Sequence, residues 1–136
     1  MTPTIRAMAL SCGLAAAFLA QPAAARAQEL PARESEPMEE KQEAVLQALD
    51  KVTARVRTLE LPVGSTVRFG ALEVTVRTCR KAPPIEAPEA AAFLEIDENR
   101  PGEQAARIFD GWMFASSPAL SALEHPVYDV WVLDCR

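Results

Sequence analysis

The sequence predicts a mainly β protein, all-β apart from short helical pieces, folded as a small antiparallel barrel or sandwich of about five to seven strands. Apolar segments recur from Val52 to the end of the chain, and clusters of Pro, Gly and Asn separate them. Two cysteines, Cys79 and Cys135, follow an N-terminal export signal, and such a pair in an exported chain predicts a disulfide. The chain length suits one domain with a modest core.

Residues 1–27 are predicted to be a cleavable secretory signal peptide. Arg6 supplies a positive start, Met8–Ala20 is apolar, and Ala25-Arg26-Ala27 is a small-x-small cleavage site. The apolar run is shorter than the roughly 20 residues of a transmembrane helix. We therefore expect a periplasmic protein with no integral membrane span after processing. A lipoprotein signal at Cys12 and an uncleaved anchor are the alternatives.

The mature chain is distinctly acidic. The full chain has 14 basic and 19 acidic residues; removing Arg6 and Arg26 with the signal leaves 12 against 19. Binding to a phosphate backbone needs clustered Lys and Arg, so nucleic acid is not an expected partner. Residues 28–40 are rich in Glu and Pro and predict a disordered tether, and residues 41–136 predict a single β-rich domain.

A short helix is predicted first in this domain. Between Met38 and Leu49, the apolar residues Val45, Leu46 and Leu49 have helical spacing, and acidic residues lie towards the N-terminal end.

Strands are predicted next. In residues 52–61, the apolar residues Val52, Ala54 and Val56 alternate with Thr53, Arg55 and Arg57, which predicts a strand closed by a turn at Pro62-Val63-Gly64. A hairpin follows around Gly70-Ala71, because Gly accepts a positive φ at little cost. Its strands are residues 67–69 and 72–76.

Prolines interrupt the sheet after this hairpin. Residues 81–89 carry Pro83, Pro84 and Pro88 and predict a long surface loop. A strand at 92–96 and a turn at 99–102 come next. Residues 107–116 are apolar on both faces, which suits a central strand or one covered by a loop.

The last loop is predicted to contain a helical turn over Pro118–Glu124. Ser117 can cap it, Leu120 and Leu123 share a face, and Pro126 stops it. The final strand runs from Val127 to Cys135, and is again apolar on both sides.

A disulfide between Cys79 and Cys135 would close a loop of nearly 60 residues and stabilise the fold by about 4 kcal/mol. The alternative is a pair of reactive thiols, since Arg77, Arg80 and Lys81 lie near Cys79 and Arg136 follows Cys135.

Four runs resemble the bacterial family called domain of unknown function 2155. The resemblance extends from about Leu49 to the C-terminus, and its four runs are Val67–Cys79, Ala92–Ile96, Gly111–Leu120 and Leu123–Cys135. It implies an exported bacterial protein and brings no assigned activity or catalytic residues. It also implies a genetic setting near an accessory factor of respiratory NADH:quinone oxidoreductase, and hence contact with the periplasmic side of such an inner-membrane complex.

Hydrolase chemistry would depend on His125, the single histidine. It would need a nucleophile such as Ser116, Ser117 or Ser121 and an orienting acid such as Asp129 or Asp110. These residue types are also expected in turns, and the chain has no Gly-x-Ser-x-Gly motif. We therefore expect that the protein is not an enzyme.

The sequence offers one His, two Cys that are predicted to form a disulfide, and scattered acids such as Glu95, Asp97 and Glu98. This set has neither the spacing of a zinc site nor that of a calcium loop. We expect no metal and no cofactor.

The predicted function is a non-enzymatic exported interaction or accessory domain with a protein partner in the cell envelope. A cell-envelope polysaccharide-binding module is the alternative, because aromatic residues can stack on sugar rings as well as anchor a protein or fill a core. A small periplasmic hydrolase is the further alternative. The sequence does not indicate an oligomeric state. The candidate interaction surface comprises Trp112, Ser117, Leu120, Leu123, His125 and Tyr128.

Overall fold

A computed structural model describes residues 36–136, and within this range the chain forms eight strands in two antiparallel sheets. The predicted signal peptide and the tether up to residue 35 lie outside the described residues. The strands are β1 (Glu39–Lys41), β2 (Glu43–Asp50), β3 (Arg55–Pro62), β4 (Thr66–Phe69), β5 (Leu72–Lys81), β6 (Ala90–Glu98), β7 (Ala106–Phe114) and β8 (Tyr128–Cys135).

The larger sheet has the order β1-β5-β6-β7, with β4 also paired to β5, and the smaller sheet has the order β3-β2-β8. Buried side chains from both sheets form one core, so residues 36–136 are a sandwich and the sheets do not close into a barrel. The mainly β prediction is confirmed. Within the described residues, no helix is long and apolar enough to cross a membrane.

The predicted N-terminal helix is wrong, because β1 and β2 occupy this segment and are separated only by Gln42. β1 pairs with β5 in the larger sheet, and β2 is the central strand of the smaller sheet. Ala44, Leu46 and Ala48 alternate into the core with a strand period. Tertiary pairing on both edges of β2 therefore overrides the helical spacing of its larger residues. The strand β1 also shortens the predicted tether, which extended to residue 40.

The strand predicted at residues 52–61 begins later than expected, at Arg55. Residues 51–54 form a turn, in which the Asp50 carboxylate accepts hydrogen bonds from the main-chain N–H groups of Val52 and Thr53 at 2.9 and 3.1 Å. Val52 in this turn and Val56 near the start of β3 are 76% and 52% exposed, whereas Leu59 and Leu61 face the core.

The hairpin between β4 and β5 is confirmed, with Gly70 at φ 59°. The proline-containing loop is also confirmed, at residues 82–89. β7, predicted to be a central or covered strand, pairs only with β6 among the described strands.

The segment between β7 and β8, residues 115–127, is here called the connector. Its predicted helical turn is shorter than expected, a 3-10 turn over Pro118–Ser121, and Ser117 makes no side-chain capping hydrogen bond.

A disulfide joins Cys79 near the end of β5 to Cys135 at the end of β8, as the sequence predicts. The two Cα atoms are 5.7 Å apart. Both cysteines are fully buried. The bond therefore connects the two sheets inside the core.

Candidate functional site

His125 is held in the connector by hydrogen bonds at both ring nitrogens. The main-chain N–H groups of Val127 and Tyr128 donate to Nδ1 at 3.1 and 3.0 Å. Because an N–H group can only donate, Nδ1 carries no proton and Nε2 does. Nε2 therefore donates to the Glu98 carboxylate, 3.0 Å away. The imidazole also stacks on the Tyr128 ring at a centroid distance of 5.2 Å.

Glu98 completes this arrangement from the end of β6. Arg100 contacts the same carboxylate at 2.9 Å. The hydrogen bond from Arg100 lowers the pKa of Glu98, and the bond from His125 lowers it further. The Lys51 ammonium donates to the main-chain carbonyl of His125 at 2.7 Å and pairs with Asp129 at 2.9 Å. His125 is thus fixed by contacts from β6, β8 and the turn after β2.

The serines considered for hydrolase chemistry lie in other contacts. Ser116 donates through both its hydroxyl and its main-chain N–H to the Glu89 carboxylate. Burial opposes ionisation of Glu89, but these bonds and that from Ala90 lower its pKa overall. Within residues 36–136 the structure places no serine hydroxyl in hydrogen-bond contact with His125. The nitrogen that would act as a base already accepts two main-chain hydrogen bonds.

The remaining residues of the candidate interaction surface do not form one surface. Leu123 is 4% exposed and belongs to the core, whereas Leu120 is 73% exposed. The expected shared face is therefore wrong, because the 3-10 turn ends at Ser121 and Leu123 points inward after it. Tyr128 packs edge-on against Phe69. Of these residues, Ser117 and Leu120 are exposed on the connector.

Trp112 lies on the outer face of the larger sheet, at an apolar groove that sequence reasoning did not assemble. The groove has a volume of about 410 Å³. We call it the Trp112 groove, and its lining residues are Pro37, Met38, Arg80, Ala91, Trp112 and Phe114. The strand alternation of β7 was the available signal, since it places Trp112 and Phe114 on one face.

The Trp112 ring is held in position by two neighbours. The Arg80 guanidinium lies 5.9 Å from the ring centroid. The Phe93 ring on β6 meets the indole edge-on, with centroids 5.7 Å apart. Arg80 also bonds Glu40 on β1 at 3.0 Å. The groove is therefore lined by side chains whose orientation is set across four strands.

A second groove, of about 350 Å³, lies between the connector and β8. We call it the Trp131 groove; it is lined by Pro118, Ala119, Ala122, Leu123, Asp129, Val130 and Trp131. Asp129 at its rim is paired with Lys51.

Charged side chains cover the rest of the larger sheet's outer face. Arg77 bonds Glu95 at 2.7 Å, and Arg107 bonds Asp97 at 2.6 Å. The bond from Arg77 lowers the pKa of Glu95, and that from Arg107 lowers the pKa of Asp97. No group of three or more His, Cys, Asp or Glu side chains in residues 36–136 is arranged to hold a metal ion.

Comparison with known proteins gives a family but no activity. The model of a family described as "Uncharacterized protein conserved in bacteria (DUF2155)" matches residues 44–135. The uncharacterized protein RP359 of Rickettsia prowazekii is 32% identical over 88 residues, which are 65% of this chain and 57% of that protein. The chain thus aligns with little more than half the length of this relative. No solved structure matches the chain.

Proposed function

The chain belongs to the bacterial family DUF2155, and from this premise we propose that it is an exported, non-enzymatic domain that binds a protein partner in the cell envelope. The observation that carries the proposal is the Trp112 groove. Its aromatic and apolar lining is open to solvent on the outer face of a sheet, and buried aromatic anchors with a polar rim are typical of protein interfaces.

The geometry around Trp112 favours a protein over a sugar. A sugar ring stacks on an open aromatic face. Arg80 lies over Trp112, so that face is already in contact with a guanidinium. The groove also offers Met38 and Phe114, which an aliphatic or aromatic side chain of a protein partner can contact. The Trp131 groove, with Asp129 at its rim, is the better candidate for the alternative polysaccharide-binding function.

The contacts of His125 argue against hydrolysis. A general base needs a free lone pair directed at the nucleophile. The Nδ1 lone pair accepts from Val127 and Tyr128, and Nε2 donates to Glu98. These bonds give the histidine a structural task in the connector.

The proposed setting is the periplasm, with the partner on the periplasmic side of an inner-membrane respiratory complex such as NADH:quinone oxidoreductase. The export signal that the sequence predicts in residues 1–27 supports the compartment. The family resemblance supports the choice of complex.

The test is affinity purification of the tagged, processed protein from native membranes in mild detergent, followed by mass spectrometry. We expect subunits of a respiratory complex to be recovered with the wild-type protein. Trp112→Ala combined with Phe114→Ala should reduce that recovery strongly. Trp131→Ala is the matched control, because it removes the other tryptophan from the opposite sheet, and it should leave recovery unchanged.

Three outcomes would contradict the proposal. Equal recovery with the Trp112 and Phe114 double variant would exclude the groove as the interface. Retention on cell-envelope glycan that Trp131→Ala abolishes would favour the polysaccharide-binding module. Ester hydrolysis that disappears with His125→Ala would establish an enzyme.

A further inference from the structure

β3 has an open edge along its whole length. It pairs only with β2 among the described strands. Every residue from Arg55 to Thr58 is exposed. The main-chain N–H of Val63 donates to the carbonyl of Gln42 at 2.8 Å, which fixes the hydrogen-bonding register between β3 and β2. The other edge of β3 therefore faces solvent.

Every second residue of β3 directs its main-chain N–H and C=O groups away from β2 and towards this open edge. In an antiparallel pair, successive residues direct their N–H and C=O groups alternately to the two sides. The main-chain groups of Val63 point towards β2, so those of Leu61, Leu59 and Arg57, at every second position, do so as well. The outward groups are consequently those of Val56, Thr58 and Glu60.

Two arginines beside this edge form no ion pairs, although most cations of the domain do. Residues 36–136 contain eleven Lys and Arg side chains, and eight of them form ion pairs with carboxylates. Arg55, Arg57 and Arg68 form none within this range. Arg55 and Arg57 project from the same face of β3, roughly 7 Å apart. The protein is acidic overall, so this unpaired positive charge is local.

The opposite face of β3 is apolar near the same end. Val56 is 52% exposed and lies opposite Leu49 on β2. A strand added to β3 would place alternate side chains beside the two arginines and the others beside Val56. The edge thus presents main-chain groups, positive charge on one face and an apolar side chain on the other.

We propose that the open edge of β3 binds an extended segment of a partner protein in which acidic and apolar residues alternate, by adding it as a further strand of the smaller sheet. Main-chain hydrogen bonds supply affinity, and the charges of Arg55 and Arg57 select an acidic face. The site is separate from the Trp112 groove, which lies on the larger sheet, and it does not depend on the proposed function.

The test uses the processed protein and synthetic peptides of about eight residues, a length typical of a strand. The probe alternates glutamate and valine. One control peptide replaces glutamate with lysine, and another has the probe's composition arranged in two blocks. Fluorescence anisotropy gives the affinities, and amide NMR shifts locate the binding site.

Two variants separate charge from main-chain pairing. Arg55→Glu with Arg57→Glu should weaken binding of the alternating acidic peptide by about tenfold or more. Thr58→Pro removes an N–H that faces solvent and not β2, so it should abolish strand addition while the β2–β3 ladder remains. Thr58→Ala is its matched control, because it keeps the N–H, and it should bind like wild type.

The expected result is selective binding of the alternating acidic peptide, with amide shifts centred on residues 55–61. Circular dichroism tests whether each variant is folded. If Thr58→Pro does not fold, the binding of the Arg55→Glu, Arg57→Glu variant decides the test. Trp112→Ala should leave peptide binding unchanged, which separates this site from the groove. Absence of binding at millimolar peptide, equal binding of all three peptides, or shifts centred elsewhere would overturn the proposal, as would an edge occupied by a second copy of the chain.

Discussion

The hydroxyl oxygen of Tyr128 lies directly beside Gly70 and accepts a hydrogen bond from the main-chain N–H of Ala71 at 3.3 Å. This contact docks the β4–β5 turn of the larger sheet on the first residue of β8 in the smaller sheet. The Tyr128 ring also stacks on His125, whose Nε2 reaches Glu98 at the end of β6. One tyrosine therefore connects the turn, the connector and both sheets.

Gly70→Ala is expected to destabilise the fold for two reasons. Gly70 has φ 59°, a conformation that costs other residues about 1–3 kcal/mol. A Cβ atom would also lie 2.7 Å from Tyr128 Cζ, so the ring must move. Gly102→Ala is the control, since Gly102 has φ 81° but no atom within 4 Å of the added Cβ. Urea unfolding should show a larger loss for Gly70→Ala, and equal losses would contradict the docking role of Tyr128.

The disulfide should contribute a large part of the stability. Cys79 and Cys135 are separated by 56 positions in the sequence. A bond closing such a loop stabilises by about 4 kcal/mol in the chain-entropy description. Replacing both cysteines with alanine should lower the free energy of unfolding by about 2–5 kcal/mol. Reduction of the wild-type protein should give a similar loss in urea unfolding, and an unchanged midpoint after reduction would contradict the prediction.

Local signals explain which parts of the fold the sequence predicts correctly. The Gly70-Ala71 hairpin and the prolines of residues 82–89 act through backbone preferences of the residues themselves. The segment of β2 has no such signal. Val45, Leu46 and Leu49 fit a helix, whereas the smaller Ala44 and Ala48 carry the strand period with Leu46, and only the neighbouring strands decide between the two.

The candidate site was predicted in part for a related reason. The sequence indicates Trp112 as an aromatic anchor, but Met38 and Arg80 join it from segments far apart in the chain. Their proximity depends on the pairing of β1 with β5 and of β6 with β7. Sequence spacing does not contain this information, so the groove required the folded structure.

Substitutions of His125 should separate the hydrogen bonds that its Nδ1 accepts from the one that its Nε2 donates to Glu98. His125→Ala leaves the main-chain N–H groups of Val127 and Tyr128 without their acceptor, and an unsatisfied buried donor costs about 1–3 kcal/mol. His125→Asn offers an oxygen near the place of Nδ1, so it should lose less stability. Urea unfolding of both variants measures the difference. An equal loss would indicate that the Nδ1 hydrogen bonds contribute little.

Acid should destabilise the domain through the carboxylates of β6. The pKa values of Glu95 and Glu98 are lowered from 4.5, and that of Asp97 from 3.8, by hydrogen bonds from arginines. The unfolded chain then binds more protons than the folded one in this range. The stabilisation is present above about pH 4.5, the ordinary glutamate value, and is lost as the pH falls through the lower folded values.

Removing Arg107 should weaken this pH dependence, because Arg107 holds the pKa of Asp97 down. Urea unfolding between about pH 3 and 7 should give a flatter acid limb for Arg107→Gln than for the wild type. Arg68→Gln is the matched control, since Arg68 forms no ion pair within residues 36–136, and its pH profile should follow the wild type. Parallel profiles for Arg107→Gln and wild type would contradict the assignment.

Substitutions of the two connector leucines, Leu120 and Leu123, should distinguish a residue of the core from a residue of the surface. Leu123 is 4% exposed and packs in the core, so Leu123→Ala should lower the free energy of unfolding by about 2–5 kcal/mol. Leu120 is 73% exposed, so Leu120→Ala should change it by no more than about 0.5 kcal/mol. The two substitutions remove the same atoms three positions apart, which makes each the control for the other in urea unfolding. Similar stability of the two variants would contradict the burial of Leu123. Partner recovery that Leu120→Ala reduces, with stability unchanged, would instead place the interface on the connector and away from the Trp112 groove.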